Sequence, residues 1–190
     1  MIARKESAGI QEFVNKKLVR VALLGASDPL AGKARYHAEV WRGAVEPLSP
    51  AVLEGAALDV DAIFGAGLSR ALEGAAADTL AAAGRRGAPI VAVDVPSGLM
   101  GDTGEALGAV AAAMTVTFFR KKPGHLLMPG RSLCGEVVVA DIGISDAVLD
   151  RVAPHTSENN PGLWLSELPQ PRDGGNKYTR GHALISGGYP

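Results

Sequence analysis

The sequence has few aromatic residues, one cysteine and no excess of either charge. Phe, Trp and Tyr make up 5% of the 190 residues although 47% are hydrophobic, so a core must be built mainly from Ala, Val, Leu and Ile. The single cysteine, Cys134, excludes an internal disulfide framework and a cysteine-based zinc site. The formal net charge of -1 gives no electrostatic reason to expect binding to nucleic acid or to an anionic membrane surface.

Long hydrophobic runs are also missing. The most apolar stretch, residues 106–119, is shorter than the roughly 20 residues that a membrane-spanning helix needs. The charged N-terminus is not followed by the apolar core of a signal peptide. We therefore expect a cytoplasmic protein that binds neither membrane nor nucleic acid.

Apolar segments of strand length alternate with helix-like segments along the chain. The pattern predicts strands over residues 19–25, 58–64, 89–94, 114–119 and 136–141, and helices over 29–41 and 73–86. Gly87 is expected to end the second helix. Val- and Ile-rich strands joined by helical crossovers are typical of a parallel sheet buried on both faces. The sequence thus predicts an α/β fold, a three-layer αβα sandwich with a Rossmann-like, mainly parallel sheet.

The composition changes after residue 150. Pro, Gly, Asn and Ser are frequent between residues 154 and 175, which predicts a linker. Residues 181–188 resemble the first strand and glycine turn of another α/β domain. Because one strand cannot bury its own faces, we expect this end of the chain to be the beginning of a further domain.

Two segments at predicted strand ends carry the chemistry. Asp61 lies near the end of one strand and precedes the glycine turn 65–70, while Asp94 closes the next strand and precedes Val-Pro-Ser-Gly at 95–98. Ligands of open parallel sheets bind beyond the carboxyl ends of the strands, so both carboxylates should border one crevice. Carboxylates there can coordinate a cation, bind a ribose hydroxyl or transfer a proton, and the residues alone leave these roles open.

Other residues have two interpretations each. The turn 65–70 and Arg70 can bind phosphate, but Arg70 stands where a dinucleotide fingerprint has its third glycine, so a simple strand-to-helix turn is the alternative. Ser97 is either a site residue or a helix cap. Lys122 and His125 lie in one loop, which we interpret as a solvated basic turn rather than a part of the crevice. Cys134 is interpreted as a packing residue.

Taken in order, several segments resemble one known family. They are Asp-Ala-Ile-Phe-Gly-Ala-Gly-Leu-Ser-Arg (61–70), Val-Asp-Val-Pro-Ser-Gly (93–98), Asp-Thr-Gly (102–104), Lys-Pro-Gly (122–124), Cys-Gly (134–135) and Ala-Asp-Ile-Gly-Ile (140–144). They resemble the YjeF N-terminal domain family, the NAD(P)H-hydrate epimerases, over residues 18–150. The resemblance implies an isomerase that interconverts the R and S forms of hydrated NADH and NADPH (NADHX and NADPHX), a repair step for damaged cofactor.

The resemblance also implies roles for individual residues. It implies a potassium ion held by Asp61 and Ser97, with Asp94 as the acid/base or the substrate-orienting carboxylate. The implied substrate contacts are Asp94 and the turn residues Gly65, Ala66, Gly67, Leu68, Ser69, Arg70 and Ala71. Ala71 stands where the family usually has Pro. Because family members are commonly dimers, a homodimer is expected.

The two ends of the chain depart from the family pattern. Residues 1–17 do not match the N-terminal helix, first strand and Asn-Asn-Gly-Gly-Asp-type loop, which supply substrate contacts and another potassium ligand, so we expect a fold that lacks them. Residues 176–182 resemble the entry to the ADP-dependent dehydratase domain of bifunctional members. The predicted organisation is a non-matching segment 1–17, an incomplete epimerase domain 18–153, a linker 154–175 and the start of a truncated dehydratase domain 176–190.

These departures from the family pattern leave alternative functions open. Dehydratase (lyase) activity, and with it a need for ADP, is not expected of this chain. A non-catalytic nucleotide-binding remnant of the bifunctional repair enzyme is the main alternative to an epimerase. An ordinary NAD-dependent oxidoreductase is disfavoured by the absent dinucleotide fingerprint.

Overall fold

The computed structural model describes residues 19–25, 36, 40–168, 173–176, 178 and 181–188. The chain divides into two compact units, Met1–Val148 and Leu149–Pro190. Within the ranges described, no helix has both the length and the apolar character needed to cross a lipid bilayer. The first unit contains both sheets and the candidate site.

Parallel strands organise the first unit. Strands β1 (Val21–Leu23) and β2 (Val45–Pro47) form a parallel pair. The larger sheet contains β3 (Asp59–Asp61), β4 (Ile90–Val93), β5 (Met114–Phe118) and β6 (Glu136–Ala140), in sequence order and all parallel. These parallel sheets with connecting helices confirm the α/β, Rossmann-like class.

The observed strands are shorter than the predicted ones. The segment predicted over 58–64 is a strand only at Asp59–Asp61, because the residues that follow leave the sheet to build the site. Strand β2 was not predicted, since it has three exposed residues and ends in proline. Of the helix predicted over 29–41, Tyr36 and Val40 are described as helical, Trp41 is described without regular secondary structure, and the rest falls outside the described residues. Residues 1–18 also lie outside them.

The strand predicted over residues 181–188 is wrong. These residues have no regular secondary structure, and the side chains of Leu184 and Ile185 are 97% and 90% exposed. No ladder partner is described for this segment, so its apolar side chains stay in solvent. The exposed residues 154–168 contain two short 3₁₀ helices, Pro161–Leu163 and Leu165–Glu167. The domain bounds drawn from the sequence stay a prediction.

Helix α1 (Gly74–Arg86) supplies one wall of the core. Its Ala-rich sequence favours helix, and the buried positions fall on one face at helical spacing: Ala76, Thr79, Leu80 and Ala83. One core cluster joins this helix to the sheet and consists of Leu53, Ala83, Ile90, Ala92 and Ala112. This cluster is therefore built from aliphatic side chains without an aromatic residue, as the composition predicts. A short 3₁₀ helix, Pro50–Leu53, precedes helix α1, and the short helices Pro123–His125, α2 (Gly130–Leu133) and α3 (Ala147–Val152) follow it.

The end of helix α1 gives a test of the fold. Gly87 has a φ of 73°, and a Cβ placed there would meet no atom within 4 Å. Gly87→Ala should therefore lower the free energy of unfolding by about 1 kcal/mol through backbone strain alone. Gly87→Asn should cost less, because Asn tolerates the left-handed conformation. Urea unfolding of the three proteins measures this, and equal losses in both variants would contradict it.

Candidate functional site

Two acidic residues stand at the carboxyl edge of neighbouring strands. Asp61 is the last residue of β3, and Asp94 follows β4 directly. The two strands are paired and parallel, with Asp61 opposite Ala92. The edge therefore collects both carboxylates, as the sequence predicted.

Asp61 is bound by the segment that follows the neighbouring strand. Its side chain is buried, and its carboxylate accepts hydrogen bonds from the Ser97 N–H at 2.7 Å and the Ser97 hydroxyl at 2.5 Å. Burial raises the pKa of Asp61 above its usual value, and the bonds from Ser97 and from the Ile63 N–H only partly offset this. Ser97 itself is fully buried and accepts a bond from the Phe64 N–H at 2.9 Å. Since no helix begins at Ser97, the helix-cap interpretation is wrong.

Asp94 is bound by the glycine turn, by β5 and by the loop that follows β5. Its Oδ2 accepts the Ala66 N–H at 3.0 Å, and its Oδ1 accepts Lys122 Nζ at 2.6 Å and the Thr117 hydroxyl at 3.0 Å. Burial pushes the pKa of Asp94 upward, but the bond and charge of Lys122, with the bonds from Ala66 and Thr117, outweigh it and hold the pKa below its usual value. The backbone φ of Asp94 is 72°, a conformation that non-glycine residues adopt only when their surroundings hold them there.

Each of the two strand-end segments thus donates hydrogen bonds to the carboxylate of the other. Asp61 of the first segment is held by Ser97 of the second, and Asp94 of the second is held by Ala66 of the first. Gly65 permits this crossing, because a Cβ at that position would lie 3.1 Å from Asp94 Oδ2. These reciprocal hydrogen bonds hold the glycine turn against the segment after β4.

The loop after β5 adds residues that the sequence interpretation left out. Lys122 is paired with Asp94, and His125 is 2% exposed with its Nε2 2.8 Å from the Asp94 carbonyl oxygen. The interpretation of this loop as a solvated basic turn is therefore wrong. The available signal was topological, because β5 neighbours β4 and its carboxyl end opens on the same edge. Cys134 is fully buried, which agrees with a packing role.

The glycine turn borders an open cavity of about 270 Å³. Its lining residues are Phe64, Gly65, Gly67, Leu68, Ser69 and Arg70. Ala71 lies at a smaller neighbouring cavity of about 110 Å³, which Arg70 and Leu68 also border. Ala66 differs from the other turn residues, because its N–H is bound to Asp94. The turn predicted to bind substrate therefore faces open space, with Ala66 anchoring it from behind.

The charge balance differs between the two carboxylates. Asp94 has an ammonium partner in Lys122. Asp61 forms no ion pair with any described Lys or Arg side chain, although it is 5% exposed. In the described part of the chain, no three side chains drawn from His, Cys, Asp and Glu converge as a metal site. The described partners of the Asp61 carboxylate are the N–H groups of Ser97 and Ile63 and the Ser97 hydroxyl, and that hydroxyl also lies 3.2 Å from the Phe64 carbonyl oxygen.

The chain is similar to a known protein family and to several named proteins. Residues 13–124 match the family model described as YjeF-related protein N-terminus. The bifunctional NAD(P)H-hydrate repair enzyme Nnr of Thermofilum pendens is 39% identical over 181 residues, which cover 90% of this chain and 34% of that protein. The NAD(P)H-hydrate epimerase of Limosilactobacillus fermentum is 48% identical over 93 residues, covering 48% of this chain and 45% of the relative. The NAD(P)H-hydrate epimerase of Limosilactobacillus reuteri DSM 20016 is 41% identical over 128 residues, which cover 65% of this chain and 60% of that relative. The chain thus spans between a third and three fifths of the length of these relatives.

The Asp61–Ser97 contact can be tested through stability. Ser97→Ala removes a donor from a buried carboxylate and the acceptor of the Phe64 N–H, so it should lower the free energy of unfolding by about 1–3 kcal/mol. Ser132→Ala, the same change at an exposed position, should leave stability nearly unchanged. Urea unfolding curves measure both variants, and comparable small effects would show that the Ser97 bonds do not hold the segments together.

Proposed function

Because the chain belongs to the YjeF N-terminal domain family, we propose that it epimerises the R and S forms of hydrated NADH and NADPH. The observation that carries this proposal is the pair of reciprocal hydrogen bonds by which each strand-end segment binds the carboxylate of the other, Asp61 or Asp94. These bonds lie beside the cavity that the glycine turn borders. The names of its relatives, NAD(P)H-hydrate epimerase among them, indicate the substrate class. The dehydration step of bifunctional relatives is not part of the proposal.

The turn supports binding of the phosphate-bearing part of a dinucleotide. The N–H groups of Ala66 and Leu68 already bond to Asp94 and to the Gly65 carbonyl. A phosphate would therefore use other turn amides and the guanidinium of Arg70, which is exposed at the cavity. The turn would hold the substrate while the nicotinamide end reaches the carboxyl edge of β4.

The reaction needs the C6 hydroxyl of the hydrated ring to leave and to return on the opposite face. Loss of this hydroxyl requires a proton on the departing oxygen, and its return requires that proton to be removed. Asp94 has a pKa below its usual value, so it is ionised near neutral pH and has no proton to donate. Within this proposal Asp94 orients the hydrated ring and holds the Lys122 ammonium 2.6 Å from its Oδ1, and that ammonium would supply the proton.

A potassium ion at Asp61 and Ser97 forms a second part of the proposal. A buried carboxylate without a cationic side chain, next to hydroxyl and carbonyl oxygens, suits a cation that prefers oxygen ligands. When bound, the ion supplies positive charge that holds the two segments together. Asp61 and the Ser97 hydroxyl would be its protein ligands.

Two further expectations belong to the proposal. A homodimer and a cytoplasmic location both follow from the family resemblance and the composition. The alternative is a nucleotide-binding remnant that does not turn over, and the assay below separates it from an epimerase.

The activity is tested by a coupled assay on the 190-residue chain. The chain is mixed with R-NADHX, a separate S-specific dehydratase and ADP, and NADH is followed by its absorbance. NADH should return faster than the spontaneous background, and Asp94→Asn should slow this on the order of a hundredfold, because the hydrated ring loses its orienting carboxylate. Asp102→Asn, at an exposed position, is the matched control and should act like the wild type. Recovery at the background rate by the wild type would favour the remnant.

The potassium site is tested by thermal unfolding at constant ionic strength. KCl should stabilise the wild type relative to NaCl, by about 1.4 kcal/mol at ten times the dissociation constant. Asp61→Asn should lose this difference, whereas Asp78→Asn, on the exposed face of helix α1, should keep it. Equal melting temperatures of the wild type in both salts would overturn the potassium proposal without touching the epimerase proposal.

A further inference from the structure

His125 connects the two residues whose side chains form the ion pair of the site. Its Nδ1 accepts the main-chain N–H of Lys122 at 2.9 Å, and its Nε2 lies 2.8 Å from the main-chain carbonyl oxygen of Asp94. The Lys122 ammonium in turn binds Asp94 Oδ1 at 2.6 Å. The three residues therefore form a closed ring of three contacts: two join the imidazole to main-chain atoms, and the third joins the side chains of Lys122 and Asp94.

The partners of the imidazole fix its protonation state. A main-chain N–H can only donate, so Nδ1 must be unprotonated, and a carbonyl can only accept, so Nε2 must carry the proton. His125 is thus the neutral Nε2–H tautomer. A second proton would have to sit on Nδ1 and face the Lys122 N–H, donor against donor.

The backbone of Asp94 explains why this bond matters. Asp94 has a φ of 72°, which costs an L-residue on the order of 1 kcal/mol and persists only where neighbours impose it. Its N–H donates to the Val116 carbonyl at 2.8 Å, and its own carbonyl accepts from His125. The short Asp94 side chain has little freedom to compensate for a rotated main chain, whereas the long Lys122 side chain can.

We propose that His125 is a positioning residue of the site, which holds the Asp94 main chain in the left-handed conformation that aims its carboxylate at Lys122. It acts mainly through the Nε2–H bond to Asp94, and the Nδ1 bond to Lys122 keeps the imidazole in place. The kinetic part of this inference rests on the proposed epimerase function.

Substitutions that keep one nitrogen position each can separate the two bonds. In His125→Gln the new amide reaches the position of Nε2, in His125→Asn it reaches only that of Nδ1, and His125→Leu fills the space with neither. His125→Gln should therefore keep kcat within a few-fold of the wild type, while the Asn and Leu variants should lower kcat on the order of tenfold or more. KM should change little, because His125 does not border the turn cavity. His155→Asn, at an exposed histidine, is the control.

The pKa of the Asp94 carboxyl, followed by ¹³C NMR titration, is a readout that needs no turnover. It should rise from its lowered value in His125→Asn and stay in place in His125→Gln. Equal behaviour of these two variants in both kcat and the Asp94 pKa would reduce His125 to a packing residue and overturn the inference. A wild type without epimerase activity would remove the proposed function, and the Asp94 pKa would then decide the inference alone.

The pH profile gives a third readout. Burial lowers the pKa of His125, the charges of Lys122 and Lys121 lower it further, and the Asp94 carbonyl bond and charge raise it only in part. The neutral imidazole therefore stabilises the site above the ordinary histidine value of 6.5, and this contribution is lost as the pH falls through the lowered pKa. The wild-type kcat should show an acidic limb there, and His125→Gln should lack it. An identical limb in His125→Gln would assign it to another group and contradict the proposed role.

If a variant fails to fold, the wild type still tests the inference. At neutral pH its His125 imidazole should give ¹⁵N shifts of an unprotonated Nδ1 and a protonated Nε2. The opposite tautomer, or a charged imidazolium, would overturn it.

Discussion

The site depends on one constraint: each of two buried or half-buried carboxylates is bound by the chain segment that carries the other. A carboxylate removed from water must find donors, and both Asp61 and Asp94 find main-chain N–H groups across the gap between strand ends. Loss of either bond would leave an acceptor unsatisfied, so the glycine turn and the segment after β4 keep a fixed relation. Because the turn borders the open cavity, the same bonds that satisfy the acids also set the shape of the binding surface.

The constraint extends to a third strand through Asp94. The Thr117 hydroxyl, at the end of β5, and Lys122, in the loop beyond it, both bind Asp94 Oδ1. Burial raises the pKa of one acid, and a cation lowers that of the other, although the two stand on neighbouring strands. Such a separation of two carboxylates by their surroundings is typical of sites in which each has its own task, here cation binding for Asp61 and substrate orientation for Asp94 within our proposal.

The fold class and the position of the site could be predicted from the sequence, because both depend on local patterns. Apolar runs at regular spacing give the parallel strands, and the rule that ligands bind at carboxyl ends leads to Asp61 and Asp94. What local patterns cannot give is pairing between distant side chains. Lys122 is 28 residues from Asp94, and nothing in Lys-Pro-Gly-His distinguishes a buried loop from a solvated one. The failed strand at 181–188 shows the reverse case, a strand-like pattern without a partner to pair with.

The loop that carries Lys122 and His125 is held by close main-chain packing in addition to the ion pair between Lys122 and Asp94. The Gly124 N–H donates to the Gly101 carbonyl at 2.7 Å, and a Cβ on Gly124 would lie 2.5 Å from the Met100 carbonyl oxygen. Only glycine permits this approach, and it brings His125 under Asp94. As a result the N–H, the carbonyl and both carboxylate oxygens of Asp94 are bound, by partners from β5, from the glycine turn and from this loop. A carboxylate held at every polar atom has little freedom to swing between donor and acceptor geometries, which supports orientation rather than proton transfer as its part in the chemistry.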